Sequence, residues 1–161
     1  MQLHSLITYL VVVLSMNNVV IIGRVKHKKK IEQYIHMLAK ELNIHRMWSK
    51  TILVKFRTKL PDDVQGLCWG DYNDGYVEIK IARESVGEPV EYDEMLRTIA
   101  HEMVHARQYL RKQLNPYTQA WMGKKPRNYK YENRPWEKEA HGLEAELYKK
   151  CWNVIPYNKK L

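Results

Sequence analysis

The chain has 161 residues, which is enough for one domain with a hydrophobic core and too few for two domains of ordinary size. An apolar fraction of 45% and a charged fraction of 28% are ordinary for a soluble globular protein. The formal net charge of +9 favours contact with polyanions, either nucleic acid or an acidic membrane surface, although a solvated basic surface needs no dedicated partner.

The chain contains two cysteines, Cys68 and Cys151. Two cysteines this far apart exclude a disulfide framework, a Cys-x-x-Cys zinc site and a redox pair. Both have apolar neighbours in the sequence, so we expect packed, reduced thiols. A reducing compartment is therefore favoured, and we expect a cytoplasmic protein.

The first 24 residues form an apolar segment, which the basic run at 24–30 follows. Residues 3–22 approach the length of a membrane span, about 20 apolar residues, but Asn17 and Asn18 interrupt them. A secretory signal is not indicated, because no positive charge precedes the apolar core. Membrane anchoring is therefore not favoured, since two short strands or an inessential extension explain the segment equally well.

Hydrophobic spacing predicts the first elements of the remaining chain. Residues 28–44 have the apolar period of an amphipathic helix, and the β-branched run at 51–60 favours a strand. Residues 66–83 favour a hairpin, because those at 73–75 tolerate the positive φ of a turn. Apolar and more polar residues alternate over 76–82, as in a half-buried strand.

Two further helices are predicted, over residues 91–114 and over 134–152 with Pro135 in the first turn. An irregular stretch, rich in aromatic and basic residues, separates them. The element order predicts an α+β domain with a small, mostly antiparallel three-stranded sheet. The chain then divides into the N-terminal segment, one domain and a short basic tail, at residues 1–24, 25–155 and 156–161.

The stretch HEMVH, at residues 101–105, falls within the second of these helices. Residues four apart lie on one face of a helix, so His101 and His105 can direct their imidazoles at one ion, as zinc accepts. Glu102 points elsewhere and can take a proton from the water on the ion, whose pKa zinc lowers to about 7. The alternative is a structural helix that carries two surface histidines.

A catalytic zinc site generally has three protein ligands and one open position. Good downstream candidates lie only on the last helix: Glu137, Glu139, His141 and Glu144. Glu137 and Glu139 are about 200° apart around a helix, so only one of them can face the ion.

HEMVH, followed about thirty residues later by PWEKEAH, resembles the zincin metallopeptidases, and among them the gluzincins, whose third ligand is a glutamate on a later helix. The short chain with AWMGKK, the tyrosines and RPWEKEA also resembles the SprT-like and phage-encoded metallopeptidases. The resemblance covers about residues 75–153 and implies a zincin-like fold.

The resemblance implies a zinc metallopeptidase for protein or peptide substrates, with His101, His105 and Glu137 as ligands of Zn²⁺ and Glu102 as the general base. In gluzincins an aspartate four residues after the ligand glutamate commonly supports a zinc-bound histidine. This chain has His141 there, which departs from the pattern. SprT-like proteins with a third histidine would instead make His141 the ligand.

The resemblance also bears on substrate binding. In zincins the strand before the zinc helix, here residues 75–83, is often an open edge on which an extended peptide lies as an added strand. The tetrahedral oxyanion needs a donor besides zinc, and the loop before the last helix offers Tyr129, Tyr131 and Arg134.

A basic and aromatic loop, WMGKKPRNYKY at residues 121–131, supports a different function. Basic residues attract phosphates and aromatic faces stack single-stranded bases, so this loop is typical of a nucleic-acid-binding module. SprT-like proteins act on proteins attached to DNA, so a DNA-associated protease would combine the peptidase and nucleic-acid-binding functions. A purely structural zinc site is disfavoured, because it leaves Glu102 without a role.

Overall fold

The structure, a computed structural model, describes residues 18–71, 73 and 75–155. The helices are α1 (Lys28–Glu41), α2 (Tyr92–Leu110) and α3 (Pro135–Trp152). The main sheet contains β1 (Asn18–Ile22), β2 (Thr51–Arg57), β3 (Gly66–Asp71) and β4 (Tyr76–Ala82), and a small antiparallel pair contains β5 (Glu84–Ser85) and β6 (Glu88–Pro89). The predicted α+β class is confirmed.

The main sheet is mixed, and its strand order is β1-β2-β4-β3. β1 and β4 both pair with β2 in parallel, and β3 alone pairs antiparallel, with β4. The prediction of a mostly antiparallel three-stranded sheet is therefore wrong. It did not count β1, although two short strands were one interpretation of the N-terminal segment. Because α1 carries the chain back between β1 and β2, those two strands are parallel.

β1 belongs to the apolar N-terminal segment, which the sequence predicted to precede the domain. All five of its residues, Asn18 to Ile22, pair with Thr51 to Lys55 of β2. Residues 1–17 of that segment, and the predicted basic tail at 156–161, lie outside the described residues. Within the described ranges, no helix is both long and apolar enough to cross a membrane.

Each predicted helix is present, and two are shorter than predicted. The first ends at Glu41, because Asn43 adopts a left-handed conformation with φ 56°. The HEMVH helix ends at Leu110, shortly before Lys112, which has φ 57°. The third helix begins at Pro135, as predicted.

The predicted hairpin is confirmed as β3 and β4, whose register pairs Asp71 with Tyr76. Gly75 has a φ of 62°, the positive value expected of the turn, while Asp74 lies outside the described residues. The strand predicted from residue 51 ends at Arg57.

The hydrophobic core lies between one face of the sheet and the helices. Alternate residues of β2 and β4 face it and are almost fully buried: Ile52, Val54, Phe56, Val77, Ile79 and Ile81. The predicted apolar faces of the first two helices are buried in the same core: Ile31, Tyr34, Ile35, Leu38, Leu42, Leu96, Ile99, Ala100, Met103 and Leu110. Cys151 lies in this core and Cys68 packs against it, both as unpaired thiols.

Candidate metal centre

Three side chains from α2 and α3 converge on one point. The Nε2 atoms of His101 and His105 lie 3.1 Å apart, and each lies 3.4 Å from Oε2 of Glu137. The three residues are 8%, 8% and 7% exposed, which excludes the alternative of two surface histidines. The structure thus brings together the three residues that the sequence predicted as ligands.

These separations fit a tetrahedral zinc site. Zinc binds imidazole nitrogen and carboxylate oxygen at about 2.0–2.1 Å, so neighbouring ligand atoms in a tetrahedral site lie about 3.3 Å apart. The observed distances between the three atoms are 3.1 Å and twice 3.4 Å. The donor set, two imidazoles and one carboxylate, is one that zinc accepts.

Hydrogen bonds orient both histidine rings. Nδ1 of His101 lies 2.8 Å from Oε2 of Glu144, and Nδ1 of His105 lies 2.8 Å from Oε1 of Gln108. A carboxylate or amide oxygen only accepts, so each Nδ1 carries the ring proton and donates it. In the neutral form of each ring the lone pair of Nε2 is therefore free to point into the space between His101, His105 and Glu137, which is the arrangement that a metal cation requires.

Gln108 is fully buried and joins α2 to α3. Its Nε2 donates to the carbonyl oxygen of Trp136 at 3.1 Å and to Glu139 Oε2 at 2.8 Å, which leaves Oε1 to accept from His105. Arg107 holds the other oxygen of Glu139 at 2.6 Å. Glu139, an alternative ligand in the sequence analysis, therefore lies behind His105 and supports it through Gln108.

Glu144, and not His141, is the acceptor for Nδ1 of His101. The side chain of His141 is 56% exposed, and its Nδ1 lies 3.3 Å from Oε2 of Glu144. That carboxylate holds His101, so the supporting role falls one turn beyond the position expected from the resemblance. His101, His141 and Glu144 form a second group of side chains whose ligand atoms lie within 4.8 Å of one another, and this group shares His101 with the first.

Sequence reasoning missed the roles of Gln108 and Glu144, although their spacing carried a signal. Residues 137 and 144 are seven apart, so they lie on one face of α3. Gln108 follows His105 by three positions and lies on its face of α2. Neither spacing could identify the partner across the two helices, which only their packing provides.

Glu102 lies beside the cluster and is 6% exposed. Burial raises its pKa to about 7, because the carboxylate loses hydration, although His105 and His101 favour its charged form. A carboxyl group with a pKa near 7 can both accept and release a proton at neutral pH. This is the property required of the predicted general base.

Opposite charges also shift the pKa of the cluster residues. Burial opposes the charged form of Glu137, but His101 and His105 hold the pKa of its carboxyl well below the usual range. Burial likewise opposes the charged form of His101, but Glu137, Glu102 and Glu144 raise its pKa to about 8. Three carboxylates around two histidines favour a cation at this point.

The cluster opens onto a cleft of about 820 Å³. Tyr131 and Arg134 line it, and the Tyr131 hydroxyl donates to Oε2 of Glu137 at 2.9 Å. Tyr129, the third oxyanion candidate, is not among the lining residues. The local 3-10 turn Tyr131–Asn133 brings the tyrosine next to the start of α3.

The open edge beside the cleft is not the strand that the sequence predicted. β4, within residues 75–83, is paired on both sides, with β2 and with β3. β3 is the edge strand, and its residues Gly66, Leu67 and Cys68 line the cleft. The expectation was wrong because β4, the second strand of the hairpin, lies between β2 and β3 and leaves β3 at the edge.

The basic loop at residues 121–131 lies mainly outside this cleft. Lys124, Lys125, Arg127 and Lys130 are exposed, and none lines the cleft. The lining carries five carboxylates and two guanidinium groups: Asp63, Glu94, Glu102, Glu137, Glu144, Arg97 and Arg134. The positive net charge of the chain is therefore not located at the candidate site.

Two aromatic residues of the basic loop make contacts within the domain. Trp121 forms bridges with Leu114 and Lys124, and its ring lies 6.3 Å from that of Trp136. Tyr131 donates to Glu137. These contacts account for Trp121 and Tyr131 without a nucleic acid.

Comparison of the chain with models of known protein families, with curated proteins and with solved structures found no match.

Proposed function

We propose that the chain is a zinc-dependent metallopeptidase of the zincin type, with His101, His105 and Glu137 as the zinc ligands. The observation that carries this proposal is the convergence of two Nε2 lone pairs and one carboxylate oxygen, at 3.1–3.4 Å, with both Nδ1 atoms held by acceptors. Hydrogen bonds of this kind are characteristic of metal-binding histidines.

In the proposed reaction Glu102 acts as the general base. When bound, zinc supplies Lewis acidity that brings the pKa of water to about 7. Glu102 removes a proton from the attacking water and passes it to the leaving amine. A pKa of about 7 for Glu102 supports both transfers, because neither protonation state is strongly favoured near neutral pH.

Tyr131 and Arg134 serve the oxyanion that forms when the peptide carbonyl is attacked. Both line the cleft, and the Tyr131 hydroxyl is already directed at the cluster, 2.9 Å from Glu137 Oε2. A hydroxyl or guanidinium donor beside developing negative charge stabilises the transition state. A Tyr131→Phe variant should therefore lose activity while it retains zinc.

The substrate is an extended peptide that lies along β3. Among the described residues this strand pairs with β4 on one side only, so its other edge offers backbone donors and acceptors next to the cleft. The five carboxylates of the cleft make it unsuited to a phosphate backbone. These features favour a polypeptide over a nucleic acid as the molecule that is cleaved.

The proposal is tested by metal analysis and peptide hydrolysis on matched variants. We expect about one zinc per wild-type chain and none in a His101→Ala/His105→Ala variant. We expect Glu102→Gln to keep its zinc and to lose hydrolysis of a quenched fluorescent peptide library, whereas Glu146→Gln, an exposed change on α3, keeps both. A wild-type protein without zinc after reconstitution, or a fully active Glu102→Gln variant, would contradict the proposal.

A second function rests on the basic loop. In the part of the chain that the structure describes, its cations Lys124, Lys125, Arg127 and Lys130 are exposed and form no ion pair. We propose that they hold DNA by its phosphates, as in a DNA-associated SprT-like protease, while the cleft acts on protein. Replacing these four residues by glutamine should weaken single-stranded DNA binding and reduce its salt dependence, with peptide hydrolysis unchanged.

The free thiols support one further expectation. Cys68 and Cys151 are unpaired and packed, which agrees with a protein of a reducing compartment, and we propose the cytoplasm.

A further inference from the structure

Gly66 stands at the start of β3, directly opposite the catalytic face of α2. A Cβ atom at this position would lie 2.5 Å from Oε1 and 2.9 Å from Cγ of Glu102, and 2.6 Å from Cγ2 of Thr98. Non-bonded carbon and oxygen atoms do not approach this closely, so any side chain here displaces a neighbour. The Glu102 carboxylate therefore occupies space that exists because residue 66 has no side chain.

The backbone gives no other reason for glycine at this position. Gly66 is not among the residues with positive φ, and it pairs regularly with Ile81 of β4. Glycine inside a strand weakens the strand and often marks a place where another group approaches closely. The group that approaches here is the carboxylate of the proposed general base.

Of the two neighbours, Glu102 is the one that would move. Thr98 is β-branched and stiff, and its hydroxyl is held by the carbonyl oxygen of Glu94 at 3.0 Å. No described residue donates a hydrogen bond to the Glu102 carboxylate, which is the end of a flexible side chain. A methyl group at residue 66 would therefore push the carboxylate aside, while the contact with Thr98 is relieved only by a small separation of β3 from α2.

We propose that Gly66 is a positioning residue for Glu102. Because glycine has no side chain, the carboxylate of the proposed general base can lie at this point beside the proposed metal ligands. This inference rests on the proposed peptidase function. The three atoms nearest to an added Cβ belong to Glu102 and Thr98, and none belongs to His101, His105 or Glu137, so we expect the change to affect catalysis more than metal binding. A displacement of about 1 Å at a reacting group can lower a rate by about 100-fold.

The central experiment is kinetic analysis of Gly66→Ala. We expect about one zinc per chain, a KM within about twofold of the wild-type value, and a kcat lower by about 10- to 100-fold. A Gly66→Ala variant with zinc and the wild-type kcat would overturn the inference. A variant that loses zinc would overturn it as well, because Gly66 would then support the ligands.

Gly70 provides a matched control on the same strand. A Cβ there would lie 2.5 Å from Cβ of Tyr109, so Gly70→Ala creates a clash of the same severity against the same helix, two turns away from Glu102. We expect Gly70→Ala to lower the melting temperature while kcat stays within about twofold of wild type. An equal loss of kcat in both variants would show that general crowding between β3 and α2 is responsible, and would overturn the inference.

A second variant distinguishes the effect of the clash with the Glu102 carboxylate from that of the clash with Thr98. Thr98→Ser removes the Cγ2 methyl but keeps the hydroxyl, so Gly66→Ala/Thr98→Ser relieves the rigid clash and should fold even where Gly66→Ala does not. We expect Thr98→Ser alone to have the wild-type kcat and the double variant to retain the loss. Recovery of kcat in the double variant would show that Gly66 acts through Thr98.

A double-mutant cycle tests whether the effect passes through Glu102. In a Glu102→Gln background, Gly66→Ala should lower the residual rate by less than twofold, because the displaced group is already inactive. A further 10-fold loss would contradict the proposal. Wild-type protein that binds no zinc or cleaves no peptide would instead contradict the proposed function, so the two failures are distinguishable.

Discussion

Both ring nitrogens of His101 lie next to glutamates of α3. Its Nδ1 lies 2.8 Å from Glu144 Oε2, and its Nε2 lies 3.4 Å from Glu137 Oε2. The two glutamates are seven residues apart, which is two helical turns, so both lie on the face of α3 that packs against α2. One helix face therefore supplies both the proposed third ligand and the residue that orients His101.

The choice of third ligand can be tested directly. Glu137→Ala removes one of three converging ligand atoms, so we expect it to lose most of its zinc. His141→Ala should keep about one zinc per chain, because His141 is largely exposed and lies behind Glu144. Elemental analysis of both purified variants measures this, and the opposite pattern would assign His141 as the ligand.

Glu144→Ala should weaken zinc binding without abolishing it. Loss of the acceptor for His101 Nδ1 frees the ring to rotate and lowers its basicity, for which we expect a 10- to 100-fold loss of affinity. Competition with a chromophoric chelator measures the affinity. Glu146→Ala, an exposed change two residues further along α3, is the control, and equal affinities in the two variants would contradict the assigned role of Glu144.

Gln108→Ala should destabilise the protein even without metal. The change leaves His105 Nδ1 and the carbonyl oxygen of Trp136 without their partner in a buried region, which costs about 1–3 kcal/mol. Urea denaturation in the presence of a chelator measures the free energy of unfolding. Gln33→Ala, at an exposed position of α1, should change it by less than about 0.5 kcal/mol.

Glu78 lies on the face of the sheet opposite the core, and its carboxyl group should make the free energy of unfolding depend on pH. Lys55, which donates to its Oε2 at 2.8 Å, and then Tyr76 and Lys80 lower the pKa of its carboxyl from 4.5 to about 2, against the effect of burial. A carboxyl whose pKa is lowered in the folded state stabilises that state above pH 4.5, and the contribution is lost as the pH falls towards 2.

We therefore expect Glu78→Gln to be less stable than wild type by about 1 kcal/mol at pH 7, a value discounted for partial exposure of the pair. The difference should shrink below pH 4.5. Urea titrations between pH 7 and pH 3 measure it. A Lys55→Gln/Glu78→Gln cycle is the control, and a difference that grows as the pH falls would refute the assignment.

Gly142→Ala should stabilise the protein. Gly142 is exposed within α3, nothing lies within 4 Å of an added Cβ, and its φ is not positive. Alanine in a helix interior is favoured over glycine by about 0.5–1 kcal/mol. Thermal or urea denaturation should show this gain, with zinc content unchanged. A loss of stability would mean that the helix needs glycine here.

The amino-acid sequence by itself determined the features that depend on residues close together along the chain. The three helices and the β3–β4 hairpin follow from apolar periodicity, and the pairing of His101 with His105 follows from their spacing of four residues on one helix. The resemblance drawn from HEMVH and PWEKEAH then singled out Glu137, whose carboxylate does lie beside both histidines.

The tertiary structure decided every relationship between distant residues. Parallel pairing of β1 and β4 with β2 depends on how the chain crosses the sheet, and periodicity does not encode strand order. The packing of α3 on α2 selected Glu144 for His101 and Gln108 for His105, while Glu139 became a support. Only contact between β3 and α2 makes Gly66 the neighbour of Glu102, because sequence patterns report the face of a helix and not what packs against it.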